Sequence, residues 1–287
     1  MTCSSHFAMS ERPRRTVVVT GGSDGIGAVA ARELAGDGVD LIVVGRSITK
    51  LAAVAEQTGA AVLSADFGVL DDVRRLAADI ADRTESIDVL LNNAGGTFHP
   101  DDRTADGFEP NFQVNHLAGF LLTNLLHERL ASASGGALVV NTSSIGNLWG
   151  RVDLTDLDGR RRHIGQPRAY GSSKLMNILF ARGIAQRWAD DAIVAAAVHP
   201  GAVATSFGRD SKWVDLAYRS PLRHLGPITP EKGAQPLIVL ARRGADQAVN
   251  GVYFHRNRPN GPQSRQARDQ RLVGGLWEES SRLVGLT

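Results

Sequence analysis

The sequence predicts an α/β protein built on a single doubly wound parallel sheet of about seven strands, with helices on both faces. Three observations predict it. Short β-branched runs alternate with longer stretches of helical spacing along the chain. The runs are nearly continuous in Val, Ile, Leu and Ala, as strands buried on both faces require. The intervals between most of them are about 15 residues or longer, above the dozen that a crossover between parallel strands needs. Such βαβ units wind right-handed.

The elements follow in order. Thr16–Thr20 is the first strand, and the Ala-rich Gly25–Asp37 is the first helix after a cluster of glycines. Asp40–Gly45 and Ala61–Ser64 are strands flanking the helical stretch Ser47–Gln57. Asp71–Arg83 has helical spacing before the strand Ile87–Leu91. Phe108–Ala131 reads as one long helix, Ala137–Thr142 as the fifth strand and Arg168–Asp190 as a second long helix. Ile193–Val198, the helix Pro230–Arg242 and the strand Gly251–Phe254 close the pattern, and a C-terminal helical extension follows. No repeat or linker divides residues 16–287, so they read as a single domain behind a leader at residues 1–15. Three irregular stretches, Gly96–Gly107, Ile145–Pro167 and Ser206–Thr229, follow strand ends, where ligands sit in such sheets.

Composition excludes several classes. The chain has 287 residues, 43% hydrophobic and 22% charged, with a net charge of +2. That is an ordinary globular composition without the basic excess of a nucleic-acid binder. Cys3 is the only cysteine, which rules out an internal disulfide framework. No apolar stretch reaches membrane-span length; Leu117–Leu126 is the longest and is interrupted by Gly119, Thr123 and Asn124. No signal peptide precedes the first strand, and no metal-ligand cluster stands out, so the expectation is a cytoplasmic protein that acts on a small molecule, with no nucleic-acid, membrane or metal partner.

The chemistry is carried by residues at successive strand ends. The first strand runs into Thr20-Gly21-Gly22-Ser23-Asp24-Gly25-Ile26-Gly27 and then directly into a helix. Gly21 permits the tight turn, Gly25 lets the backbone approach a pyrophosphate, and Gly27 allows close helix–strand contact, with the helix N-terminus favouring the anion. The second strand ends in Gly45-Arg46, where an acidic residue would hold the ribose of NAD. Arg46 suits the extra phosphate of NADP(H). Asp24 puts a negative charge near that phosphate. Asp66 and Phe67 after the third strand are candidates for adenine contact, and Asn93, Ala94 and Gly95 after the fourth for the cofactor edge.

The fifth strand ends Thr142-Ser143-Ser144, and a later helix carries Tyr170 and Lys174, four residues apart on one face. A phenol titrates near 10, and lowering it by about 3 units takes roughly 4 kcal/mol of preferential phenolate stabilisation. A neighbouring ammonium and a nicotinamide cation can supply that. A strand-end serine can bond the same substrate oxygen.

At these residues the chain resembles the short-chain dehydrogenase/reductase family, whose fold is Rossmann-type. Carriers are the glycine loop, Asn92-Asn93-Ala94-Gly95, the Ser144, Tyr170 and Lys174 set, and His199-Pro200-Gly201. Val114-Asn115-His116-Leu117, the run Ser173–Phe180, Gly251–Phe254 and Leu276–Ser280 make it most similar to the retinol-dehydrogenase-like branch. The long Ser144–Tyr170 interval also occurs there. The resemblance implies that Ser144, rather than Ser143, is the catalytic serine. It also implies that Asn115 holds a water behind Lys174 through its local backbone. Thr205, with Pro200, Gly201 and Val203, would bind the nicotinamide end, while Ser23, Asp24 and Ile26 lie in the phosphate loop. His199 reads as structural. A homodimer paired through the two long helices is common among such enzymes, and the C-terminal extension competes for that surface. The absence of an apolar N-terminal anchor sets this chain apart from membrane-bound vertebrate relatives.

The activity expected is reversible hydride transfer between NADP(H) and a carbonyl/alcohol pair. Phe207, Trp213, Leu216, Tyr218, Leu222 and Leu225 in the loop at 206–229 point to a bulky lipophilic or aromatic ketone, such as a polyketide or another secondary metabolite. Retinoids and steroids are the alternative substrates. A non-catalytic nucleotide sensor is the rival from another class, and the presence of both Tyr170 and Lys174 argues against it. A sugar-nucleotide epimerase or dehydratase would need a larger C-terminal region.

Overall fold

A computed structural model describes residues 14–161, 164–201 and 228–286. The strands β1 (Arg15–Thr20), β2 (Val39–Gly45), β3 (Ala61–Ser64), β4 (Val89–Asn92), β5 (Ala137–Thr142), β6 (Ile193–His199) and β7 (Val252–His255) pair in parallel. Their order is β3-β2-β1-β4-β5-β6-β7, with the direction of travel reversing between β1 and β4. A two-residue strand, β8 (Arg258–Pro259), adds antiparallel to β7. Among the described residues the sheet therefore has eight strands. The last is too short to leave a hydrophobic pattern, which is why the sequence yields seven.

The apolar runs are buried on both sides, as their composition requires, except in the edge strand β3, where only Leu63 is buried. Val18, Ile42, Val44 and Leu90 face one core together with α3 (Leu70–Ala81), α5 (Ala118–Leu125) and α7 (Gln166–Arg187). Val17, Val19, Leu41, Val43 and Leu91 face the other, under α1 (Gly25–Leu34), α2 (Ile48–Thr58) and α8 (Pro230–Arg243). The C-terminal helix α9 (Gln270–Leu283) lies against α7. Trp277 there meets Phe120, Phe180 and Trp188 at ring-centroid distances of 5.2, 5.7 and 5.3 Å.

The helix expected over Phe108–Ala131 runs from Pro110 to Ala131 but is irregular, with Leu126 as a turn residue between its last two segments. It is assembled from α4 (Pro110–Phe112), a π-helical turn at Gln113–Leu117, α5, and α6 (His127–Ala131). Pro110 and the Glu109 cap start it, the Glu109 carboxylate accepting from the Asn111 and Phe112 N–H groups. The wide turn is centred on Asn115. Its side chain accepts from Gly96 N–H at 2.7 Å and donates to the Gly96 carbonyl at 2.9 Å. A π turn of this kind is frequent at functional sites.

Candidate active site

The C-terminal ends of β1, β2, β4, β5 and β6 open on one cleft of about 920 Å³. Beyond β1, Gly21 adopts φ +65°, and a Cβ there would lie 2.8 Å from the Ala94 Cα. At Gly27 a Cβ would come within 2.2 Å of the Gly21 carbonyl. These approaches hold the α1 N-terminus against the β4 end, and Ile26 and Gly27 line the cleft there. Asn93 ties the turn down: its Nδ2 donates to the Thr20 carbonyl at 3.1 Å, and its backbone N–H donates to Thr20 Oγ1 at 3.0 Å.

Ser23, Gly25, Arg46, Asp66, Phe67, Ala94 and Gly95 line the same cleft. Asp24 caps α1, its carboxylate accepting from Gly25 N–H at 2.7 Å. The other carboxylate oxygen is ion-paired with Lys50, one turn into α2. The negative charge that the sequence places in the glycine loop is thus matched by a cation. Lys50 escapes sequence reading because its partner is 26 residues away. The signal that could have found it is its position in the first turn of the helix that follows Arg46 and the Ser47 cap. Asp66 closes an Asx turn, accepting from Gly68 N–H at 2.8 Å.

At the nicotinamide end, Pro200 and Gly201 lie on the cleft wall with His199. His199 is 5% exposed, and burial beside His255 and Arg256 holds its imidazole down near 4, so it is neutral at physiological pH. The expectations for Val203 and Thr205 lie outside the described residues, as does most of the loop at 206–229.

The two serines at the end of β5 divide their work. Ser143 is buried and its hydroxyl donates to the Lys174 carbonyl at 2.7 Å, a bond within the scaffold. Ser144 faces the cleft and hydrogen-bonds the Tyr170 side chain. It also accepts from Gly146 N–H at 3.1 Å, while Asn147 fastens its loop by donating to the Ser144 carbonyl at 2.8 Å and to the Tyr253 hydroxyl at 3.2 Å. Asn147 is a second residue that sequence reading misses.

Tyr170 and Lys174 project from α7 as their spacing requires. Lys174 Nζ stands 5.4 Å from the Tyr170 ring centroid and donates to the Thr142 carbonyl at 3.3 Å. Asn115 is close to Lys174: its Nδ2 donates to Ser173 Oγ at 3.1 Å, and a Cβ on Gly95 would lie 2.6 Å from its Oδ1 and 3.4 Å from Lys174 Nζ. In the protein alone, the phenol is not lowered. Burial pushes Tyr170 above its ordinary value of 10, against the opposing hydrogen bond from Ser144. Burial also brings Lys174 down to about 7. The acidifying field expected from the sequence is therefore not supplied by the protein's own residues alone.

A dinucleotide fits this donor set: helix-terminal N–H groups for a pyrophosphate, cations at the β2 end, and a serine–tyrosine–lysine group at the far end. Among the described residues no cluster suited to a metal ion occurs, and no helix is long and apolar enough to cross a membrane.

The sequence pattern of the short chain dehydrogenase family matches residues 15–213. The chain is 39% identical to "Putative daunorubicin C-13 ketoreductase DnrU" of Streptomyces sp. (strain C5), over 96% of this chain and 94% of that protein. It is 37% identical to human retinol dehydrogenase 13, over 96% and 86% respectively. A crystal structure from Mycobacterium paratuberculosis superposes with a TM-score of 0.73 at 33% identity, covering 94% of this chain and 93% of that one.

Proposed function

The chain belongs to the short chain dehydrogenase family, in its retinol-dehydrogenase-like branch, and from that premise we propose that it is an NADP(H)-dependent ketoreductase or alcohol dehydrogenase for a bulky lipophilic or aromatic ketone. The observation that carries the reading is the Ser144–Tyr170 hydrogen bond with Lys174 beneath the phenol ring, on the same cleft as the glycine turn.

When bound, the cofactor supplies the hydride in reduction and accepts it in oxidation. Ser144 and Tyr170 direct two hydroxyl groups at one substrate oxygen. Tyr170 gives its proton to that oxygen as negative charge develops on it. Lys174 stabilises the phenolate left behind and orients the ribose. The Asn115 backbone offers an acceptor through which the proton is restored from solvent. Positioning and oxyanion stabilisation carry most of the acceleration.

The preference for NADP(H) is supported by the charge at the β2 end. With Lys50 paired to Asp24, Arg46 adds a positive charge where the extra phosphate would sit. The name of the Streptomyces relative, a ketoreductase for daunorubicin C-13, supports a polyketide-type or other secondary-metabolite ketone for this chain. The identity to retinol dehydrogenases favours a second reading, a retinoid or steroid substrate. The protein acts on a small molecule in the cytoplasm in either case.

A panel of aromatic polyketide-type ketones, steroids and retinal, assayed with NADPH and NADH in parallel, tests the proposal. The expected result is turnover with NADPH, at least about tenfold more efficient than with NADH, a margin of about 1.4 kcal/mol. Tyr170→Phe is expected to lower kcat about 1,000-fold while leaving NADPH affinity within about threefold. Equal efficiency with both cofactors contradicts the reading of Arg46, and turnover retained in Tyr170→Phe contradicts the mechanism.

A further inference from the structure

Behind Lys174 lies a run of buried polar side chains that the reaction itself does not call for. Asn177 stands three residues after Lys174 on α7 and is 4% exposed. Its Nδ2 donates to the Asn115 carbonyl and to the Thr142 carbonyl, both at 2.9 Å. The Thr142 carbonyl is also the acceptor for Lys174 Nζ. Both amide protons are thereby used, and the amide oxygen faces His116 Nδ1 at 3.3 Å.

An amide oxygen only accepts, so the proton of His116 is on Nδ1. Nε2, 3.3 Å from Ser280 Oγ, is then the acceptor for that hydroxyl. Donor and acceptor accounting gives a single direction: Ser280 to His116, His116 to Asn177, and Asn177 to both carbonyls. Burial holds the His116 imidazole near 4, which keeps the ring neutral and this tautomer in place. Ser280 belongs to α9, so the chain of bonds runs from the C-terminal helix to the acceptor of the catalytic amine.

We propose that Asn177 is a positioning residue for Lys174, held in orientation by His116 and Ser280. The inference rests on the reading of Lys174 given above. A lysine head on a flexible four-carbon stem goes where its acceptors are. Thr142 ends β5 and Asn115 sits in the π turn, and the Asn177 amide ties the two carbonyls together. It also occupies one lone pair of the Thr142 carbonyl and the space beside it. Without Asn177 that lone pair and entering water become available to the ammonium, which raises the pKa of Lys174 and loosens its distance from Tyr170. The groups that face Lys174 are Tyr170 on its own helix, the Thr142 carbonyl of β5, Asn115 of the π turn, and Gly95 from the turn beyond β4. Burial is the cause of its depressed pKa, and no carboxylate contributes.

The chain has four lysines, Lys50, Lys174, Lys212 and Lys232, so their amines can be followed individually by NMR with labelled lysine. Asn177→Ala is expected to move the Lys174 titration upward by about half a pH unit or more. Its kcat is expected to fall about tenfold, with NADPH affinity nearly unchanged. Should that variant fail to fold, His116→Phe with Ser280→Ala carries the test. The new ring is received by Phe112, Phe120 and Phe180, whose centroids lie 6.0, 6.1 and 6.0 Å from His116, and the expected shift has the same sign. An unchanged Lys174 titration in a folded variant overturns the proposal. A shifted titration in a protein that reduces no ketone supports the positioning role and overturns the proposed function instead.

Discussion

Burial brings the Lys174 ammonium from an ordinary 10.5 to about 7, with the Thr142 carbonyl as its hydrogen-bond acceptor. The folded state therefore binds fewer protons at this site than the unfolded state between those two values, and stability rises with pH across that window. Below about 7 the full cost of an isolated buried charge is present. Lys174→Met removes the charge and keeps most of the stem. It is expected to be inactive yet more stable at pH 6, by about 3 kcal/mol, a Tm gain of about 5 °C or more. The gap should close as pH approaches 10; thermal melts at a series of pH values check it, and a variant less stable than the parent at pH 6 contradicts the assigned burial cost. Tyr170 and Lys174 are legible in the sequence because a four-residue spacing on a helix is a local fact. Ser144 was separable from Ser143 only through family register, since both end the same strand. Lys50, Asn147 and Asn177 were not legible as site residues, because each works through a partner on another element.

At the scale of elements, the β1–α1 turn leaves little room to vary at Gly21. Gly21 combines a left-handed φ of +65° with a Cβ direction 2.8 Å from the Ala94 backbone. Neither the strain nor the contact can be relieved by turning a side chain. Gly21→Ala is expected to weaken NADPH binding about 100-fold, read by the fluorescence of the bound cofactor, while the far-UV spectrum stays close to the parent's. Affinity within threefold of the parent contradicts the assigned role of the turn. Strands and helices were legible to within a few residues: Ala137–Thr142 was placed at its observed bounds, and Ser47, expected as the first residue of a helix, is the cap of α2. The Phe108–Ala131 stretch is helical as its apolar period requires, but the period does not encode the π turn at Gln113–Leu117, where the Asn115 side chain bonds to Gly96, or the single turn residue Leu126.

The whole molecule places its cleft where the strand order turns back between β1 and β4, the position at which open α/β sheets bind ligands. One side of that crevice holds the glycine turn, Arg46 and Lys50; the other holds Ser144, Tyr170 and Lys174. The C-terminal helix contributes twice, packing Trp277 against α7 and bonding Ser280 to His116. It also covers part of the surface of α7. In the proposed reaction this crevice passes a hydride from a nicotinamide to a carbonyl carbon. The most direct measurement uses NADPH carrying deuterium at both positions of nicotinamide C4, with mass spectrometry of the alcohol formed from the best ketone of the panel. The expected product carries one deuterium per molecule, bound to the carbinol carbon, and forms about 1,000-fold more slowly with Tyr170→Phe. Alcohol without deuterium at that carbon, or its formation at an undiminished rate in the variant, contradicts that reaction.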